Sequence, residues 1–259
     1  MKIGFAQMYP KLLDLSSNLE KISKLMVKEK YDVLVFPELA TSGYVFDSVE
    51  EVWNVSLTVD ELVDFVISRP RSGLVVIGFA ERYGDKLFNS SVAITPEGDY
   101  YLYRKIHLFD KEKLWFSPGN LGFTVFDWRG YKFGMMICFD WIFPEAMRTL
   151  AVKGADLILH SANLVLPYCQ NAMVTRCLEN HVFAITANRI GEERGVKFTG
   201  MSQITGVKGE ILLRASADKE EMGFVEVDLH QARDKRIASL NNIMLDRRPE
   251  WYLDLTRGV

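Results

Sequence analysis

The chain has 259 residues, 48% of them hydrophobic, with a formal net charge of −3 at neutral pH and no basic block. That is enough apolar content for a full core in one large domain or two small ones, and the charge balance argues against nucleic acid as a partner. No apolar run approaches the roughly 20 residues that a bilayer crossing needs, and MKIGFAQMYP lacks a signal-peptide core, so no membrane partner is expected. Three cysteines, Cys138, Cys169 and Cys177, have neither the even count of a disulfide framework nor metal-site spacing. They are expected as reduced thiols in a cytoplasmic protein.

In chain order, KIGFAQ reads as a strand, and Ser17 to Glu20 (SNLE) has the form of a capping box before a helix with Leu19, Ile22, Leu25 and Met26 on one face. YDVLVFPE reads as a short strand buried on both faces. A second capping box, Thr58 to Glu61, precedes the stripe Val59, Leu62, Val63, Val66 and Ile67. GLVVIGFAER, FNSSVAIT and DYYLYRK follow as strands, the last two joined by the turn PEG. GFTVFDW and YKFGMMIC form a pair turning at Arg129 and Gly130. FPEAMRTLAVKG is a helix, with Pro144 in its first turn and Gly154 at its end, leading into the strand LILHSA. QNAMVTRCLENH is the next helix, VFAITANR a strand, GMSQITGVKGEILLRAS a hairpin turning at Lys208 and Gly209, and GFVEVDL the last strand. No repeat or linker divides the chain, so residues 1–259 are read as a single domain of layered α/β class with mixed sheets. The charged, irregular tail from about 230 to 259 holds Trp251 and Tyr252, residue types enriched at subunit contacts.

Three reactive side chains share one setting: each stands at or just past the end of an apolar strand. Glu38 follows VLVFP, Lys105 follows YYLYR, and Cys138 follows GMMI. Rigid strand ends deliver side chains to clefts. A carboxylate directly after a buried strand is costly unless it is paired or functional, and burial would bring Glu38 into the range of a general base. The expected helix start at WIFPE, together with Lys105, would lower the Cys138 pKa, and the Phe139 backbone amide would serve as an oxyanion donor. Glu112 is placed to pair with Lys105 or to orient substrate. Each residue alone also fits a plain role, as a core cysteine, a solvated lysine or a surface carboxylate.

Together, FPELATSGY, YRKIHLFDKEKLWFSPG and GMMICFDWIFPEAMRTLAVKGADLILHSAN resemble the three signature blocks of the nitrilase (carbon-nitrogen hydrolase) superfamily, in the right order and at suitable separations. The resemblance runs from KIGFAQ to RRPEWY. It implies a four-layer αββα sandwich with two mixed sheets, a homodimer or higher oligomer, no cofactor and no metal. It also implies a catalytic triad of Glu38, Lys105 and Cys138, with Glu112 as a second glutamate. The implied reaction is cleavage of a small amide or carbamoyl amine to acid and ammonia through a thioester. A nitrilase acting on a small nitrile or dinitrile, or a non-catalytic binding protein of the same fold, are the alternatives.

Tyr44, Trp115, Trp141, Asn163, Leu164 and Val165 are expected in the substrate pocket, and Arg189 or Arg194 could meet a substrate carboxylate. Arg176 and Glu179 are read as a structural pair. The four histidines, His107, His160, His181 and His230, show no metal-site spacing, and His160 reads as a satisfied core residue.

Overall fold

The computed structural model describes residues 1–257. Its first half runs β1 (Lys2–Gln7), α1 (Leu15–Met26), β2 (Val33–Val35), α2 (Val49–Asn54), α3 (Val59–Ile67), β3 (Leu74–Tyr83), β4 (Lys86–Ile94), β5 (Tyr100–Arg104) and the one-turn α4 (Glu112–Trp115). The second half runs β6 (Val125–Trp128), β7 (Tyr131–Ile137), α5 (Pro144–Val152), β8 (Leu157–Ser161), α6 (Cys169–Asn180) and β9 (Phe183–Ala187). The small hairpin β10 (Glu192–Glu193) and β11 (Val196–Lys197), then β12 (Gln203–Thr205), β13 (Ile211–Arg214) and β14 (Glu221–Glu226), complete the strands. Short 3-10 turns punctuate the tail.

Two six-stranded mixed sheets result, ordered β14-β1-β2-β3-β4-β5 and β13-β12-β9-β8-β7-β6. Each has three parallel strands at its centre, β1-β2-β3 and β7-β8-β9, flanked by antiparallel neighbours. The parallel strands are connected through helices and covered on both faces, which is why VLV and LILHS are buried at every position.

Strand period assigns the layers. Val33 and Val35 point into the core between the sheets, with Phe5, Phe133 and Met135. Leu34, between them, points the other way, into a cluster with Ile22 and Met26 of α1 and Leu62 and Val66 of α3. On the far side, Met147 and Leu150 of α5 and Met173 of α6 cover the second sheet. The order is therefore helix, sheet, sheet, helix. Each fully buried side chain of this kind contributes about 1.5–3 kcal/mol by leaving water.

Local expectations fared unequally. The Thr58–Glu61 capping box forms: Glu61 N–H donates to Thr58 Oγ1 (3.2 Å) and Thr58 N–H to Glu61 Oε2 (2.7 Å). The Ser17–Glu20 box does not. Leu13, at φ 60°, turns the chain so that Asp14 caps α1 by accepting from Ser17 N–H at 3.1 Å. Ser17 and Glu20 thus lie inside the helix, where Glu20 pairs with Lys24. Ile67 ends its stripe exposed. Helix α2 and the β10–β11 hairpin, too short for a periodic signal, were not anticipated.

Candidate active site

Glu38 lies just beyond β2 with its side chain fully buried. The segment can lie there because Gly78 of β3 has no side chain: a Cβ would fall 2.5 Å from Pro37 O and 2.6 Å from Glu38 Cα. Lys105, directly after β5, is held by backbone bonds to Asn89 O and from Gly119 N–H, both 2.8 Å. A Cβ on Gly119 would stand 2.0 Å from Arg104 O, so glycine is required for that approach too.

The Lys105 ammonium bridges two carboxylates, donating to Glu38 Oε1 at 2.6 Å and Glu112 Oε1 at 2.7 Å. Asn89 Nδ2 donates to Glu38 Oε1 at 2.7 Å, and the Tyr44 hydroxyl to Glu112 Oε1 at 2.7 Å. Glu38 Oε2 has no partner among the described residues. Burial, opposed by Lys105 and reinforced by Glu112, pushes the Glu38 carboxyl up to about 7. Burial alone would lower the Lys105 pKa, but Glu112 and Glu38 outweigh it and keep the ammonium charged.

Cys138 directly follows β7 at φ 38°, a left-handed conformation unusual for a residue with a side chain. His160 Nε2 donates to Cys138 O (3.0 Å), and because that carbonyl only accepts, His160 Nδ1 accepts a hydrogen bond from the Thr186 hydroxyl (3.1 Å). Burial lowers the His160 pKa to about 4, so the ring is neutral and is the satisfied core histidine expected. The thiol contacts Asn163 O at 3.7 Å.

The expectation of a lowered Cys138 pKa is corrected. Burial first, then the Glu38 charge, raises it well above the usual thiol range; Lys105 pulls it down, and Glu112 raises it further. Two physical reasons account for this. A 3-10 helix (Cys138–Ile142) follows the cysteine, and α5 begins only at Pro144. The Lys105 charge is also already matched by two carboxylates. The thiol therefore keeps its proton until a base removes it.

One cavity borders the thiol and a second adjoins it. The inner one, about 20 Å³, is walled by Cys138, Phe139, Trp141, Asn163 and Leu164 and has room for about one water. The outer one, about 320 Å³, is walled by Tyr44, Phe46, Glu112, Trp115 and Val196. Phe109 and Val165 line both. Each residue expected in the pocket lines one of these two cavities, while Phe109, Asn89 and the His160 support were missed. Asn89 sits mid-strand in NSS, with no local signal of its role.

The suggestion that Arg189 or Arg194 meets a substrate carboxylate is also corrected. Arg189 is fully buried, paired with Glu193 at 2.5 Å and stacked over Phe198. Arg194 pairs with Glu51 at 2.7 Å. Glu193 in turn accepts from the backbone of Tyr44 and Val45, tying the Arg189 segment to the pocket wall. Arg176 and Glu179 form their pair at 3.1 Å.

Comparison with known proteins places this architecture. A carbon-nitrogen hydrolase from Helicobacter pylori G27 superposes with a TM-score of 0.89 at 24% identity, covering 100% of this chain and 98% of that one, so the two share a fold. The carbon-nitrogen hydrolase family model matches residues 2–237, and the chain belongs to that family. It is 48% identical to a nitrilase of Pyrococcus abyssi over 97% of this chain and 99% of the relative. It is 38% identical to an (R)-stereoselective amidase of a Pseudomonas species, over 79% and 76%. The protein is a hydrolase of nitrilase and amidase type. Among the described residues, no helix is long and apolar enough to cross a membrane.

Proposed function

We propose that the protein hydrolyses small, neutral amides to acid and ammonia through a Cys138 thioester. The observation that carries this reading is the Glu38 carboxyl. It is buried, bonded to Lys105 through one oxygen, unpartnered at the other, and pushed up to about 7. A base in that range both accepts and returns a proton near neutral pH.

Glu38 takes the Cys138 proton as sulfur attacks the amide carbon. The oxyanion meets the Phe139 amide and Lys105, whose ammonium has three N–H groups and spends two on Glu38 and Glu112. Glu38 then protonates the nitrogen, the C–N bond breaks, and ammonia leaves a thioester. Water gives a proton to Glu38 and attacks that carbon. The second tetrahedral intermediate expels sulfur, which recovers its proton from Glu38. Glu112 anchors Lys105 and is itself held by Tyr44.

The cavities support a small neutral substrate. Their walls are chiefly aromatic and aliphatic, and both candidate arginines are occupied elsewhere. Nitrile hydrolysis through a thioimidate is the second reading, favoured by the similarity to the Pyrococcus abyssi nitrilase. An ammonia-release screen over short amides, carbamoyl amines and dinitriles tests both. Turnover of amides alone supports the first, turnover of nitriles alone the second, and no turnover of any class contradicts the proposal.

Assembly as a homodimer is proposed on the tail, where Leu240 (92%), Leu245 (82%) and Trp251 (79%) stand exposed.

A further inference from the structure

Asp140 is a completely buried carboxylate that the proposed chemistry does not use. It lies two residues after Cys138, and all of its partners lie beside the triad. Oδ2 accepts from the Ile137 backbone N–H (2.9 Å) and from the Tyr103 hydroxyl (2.8 Å). Oδ1 accepts from His107 Nδ1–H (2.7 Å) and, at 3.4 Å, from the His107 backbone. Tyr103 is also an acceptor, for Ile106 N–H at 3.3 Å. One side chain thus grips the residue before the cysteine and the residues two before and two after Lys105. Ile137 belongs to β7 of one sheet, Tyr103 to β5 of the other, and His107 to the loop that follows β5.

We propose that Asp140 is a positioning residue that sets the relation between the Lys105 ammonium and the Cys138 sulfur, with Tyr103 and His107 as its two contacts on the lysine segment. The left-handed Cys138 backbone persists only where its surroundings over-determine it. Asp140 on the Ile137 side and His160 on the Cys138 carbonyl supply that restraint. The ring of His107 lies flat on Phe143 (3.8 Å between centroids), so the clamp is fixed from outside as well. A displacement near 1 Å at such a site costs about a hundredfold in rate.

The inference rests on the triad reading, and one experiment separates the two. Asp140→Asn keeps the shape but puts an NH2 group against N–H and O–H donors. Tyr103→Phe keeps the ring stacked on Phe123 and removes its bond to Asp140, along with the one it accepts from Ile106 N–H. Steady-state rates are measured on folded protein, counted by circular dichroism and by Cys138 alkylation at completion. Asp140→Asn is expected to lower kcat by about a hundredfold with KM within about threefold, and Tyr103→Phe by about tenfold. The double variant should be no slower than Asp140→Asn, because both act through one carboxylate. Normal kcat per folded molecule in Asp140→Asn overturns the inference. If Asp140→Asn does not fold, normal kcat in Tyr103→Phe overturns it. Turnover that survives Cys138→Ala in a chain otherwise unchanged overturns the triad reading instead.

Discussion

Glu38 and Lys105, 67 residues apart in the chain, are joined by a 2.6 Å hydrogen bond at a point where neither side chain reaches solvent. Forming such a pair requires desolvating two charges, and breaking it leaves one of them buried alone. Lys105 holds Glu112 as well, so a single substitution strands two carboxylates.

Lys105→Ala is therefore expected to lower kcat by about a hundredfold or more through loss of the oxyanion donor. It should also destabilise the fold by about 3–5 kcal/mol. Urea denaturation read alongside ammonia release checks both. A near-normal rate in the folded fraction removes the lysine from the oxyanion role.

The Glu38 carboxyl gives a pH dependence of defined sign. As the base it must be ionised, so kcat/KM should rise with pH and be half-maximal near 7. Its folded pKa is raised above the ordinary 4.5, so the folded state holds a proton that the unfolded state has already released. The associated stability is present at low pH and is lost as pH rises through about 7. Glu38→Gln should abolish turnover and flatten that part of the stability profile. A wild-type limb centred near 4.5 would contradict the assignment.

Asn163 is buried beside the thiol, and neither end of its side-chain amide has a partner among the described residues. An unsatisfied buried amide costs about 1–3 kcal/mol. Asn163→Leu should therefore raise the melting temperature while lowering kcat/KM for a short amide by at least about tenfold, as expected where a polar pocket group meets substrate. A lower melting temperature with unchanged kcat/KM would mark Asn163 as structural.

The tail yields a prediction about assembly. Sedimentation velocity should show a dimer for the wild type and a weaker one for Trp251→Ala combined with Leu245→Ser. A wild-type monomer at micromolar concentration would remove the tail from that role.

Much of the fold was legible because its informative signals are local and periodic. The buried parallel strands announce themselves as apolar runs, and the Thr58 cap, Pro144 and Gly154 punctuate two helices. The Ser17 box misled because Asp14 sits one turn earlier and bonds the same stretch of backbone. Glu38, Lys105 and Cys138 were legible as strand-end residues in recognisable blocks, with Glu112 in the block of Lys105, and Lys105 contacts both glutamates. What the chain order hides is the partner distant in sequence. Asn89, Tyr103, Asp140 and His160 act through residues 22 to 51 positions away, and no local pattern marks them. The same limit made the Cys138 pKa read in the wrong direction, because the depth of the thiol and the saturation of Lys105 exist only in three dimensions.

The most direct test is an acid quench during turnover of a short amide, followed by peptide mapping by mass spectrometry. The acyl group should appear on the peptide containing Cys138, with none on Cys169 or Cys177, and should be absent from Cys138→Ala, which releases no ammonia. Full ammonia release by Cys138→Ala, or an acyl group carried only by another residue, would contradict the thioester account.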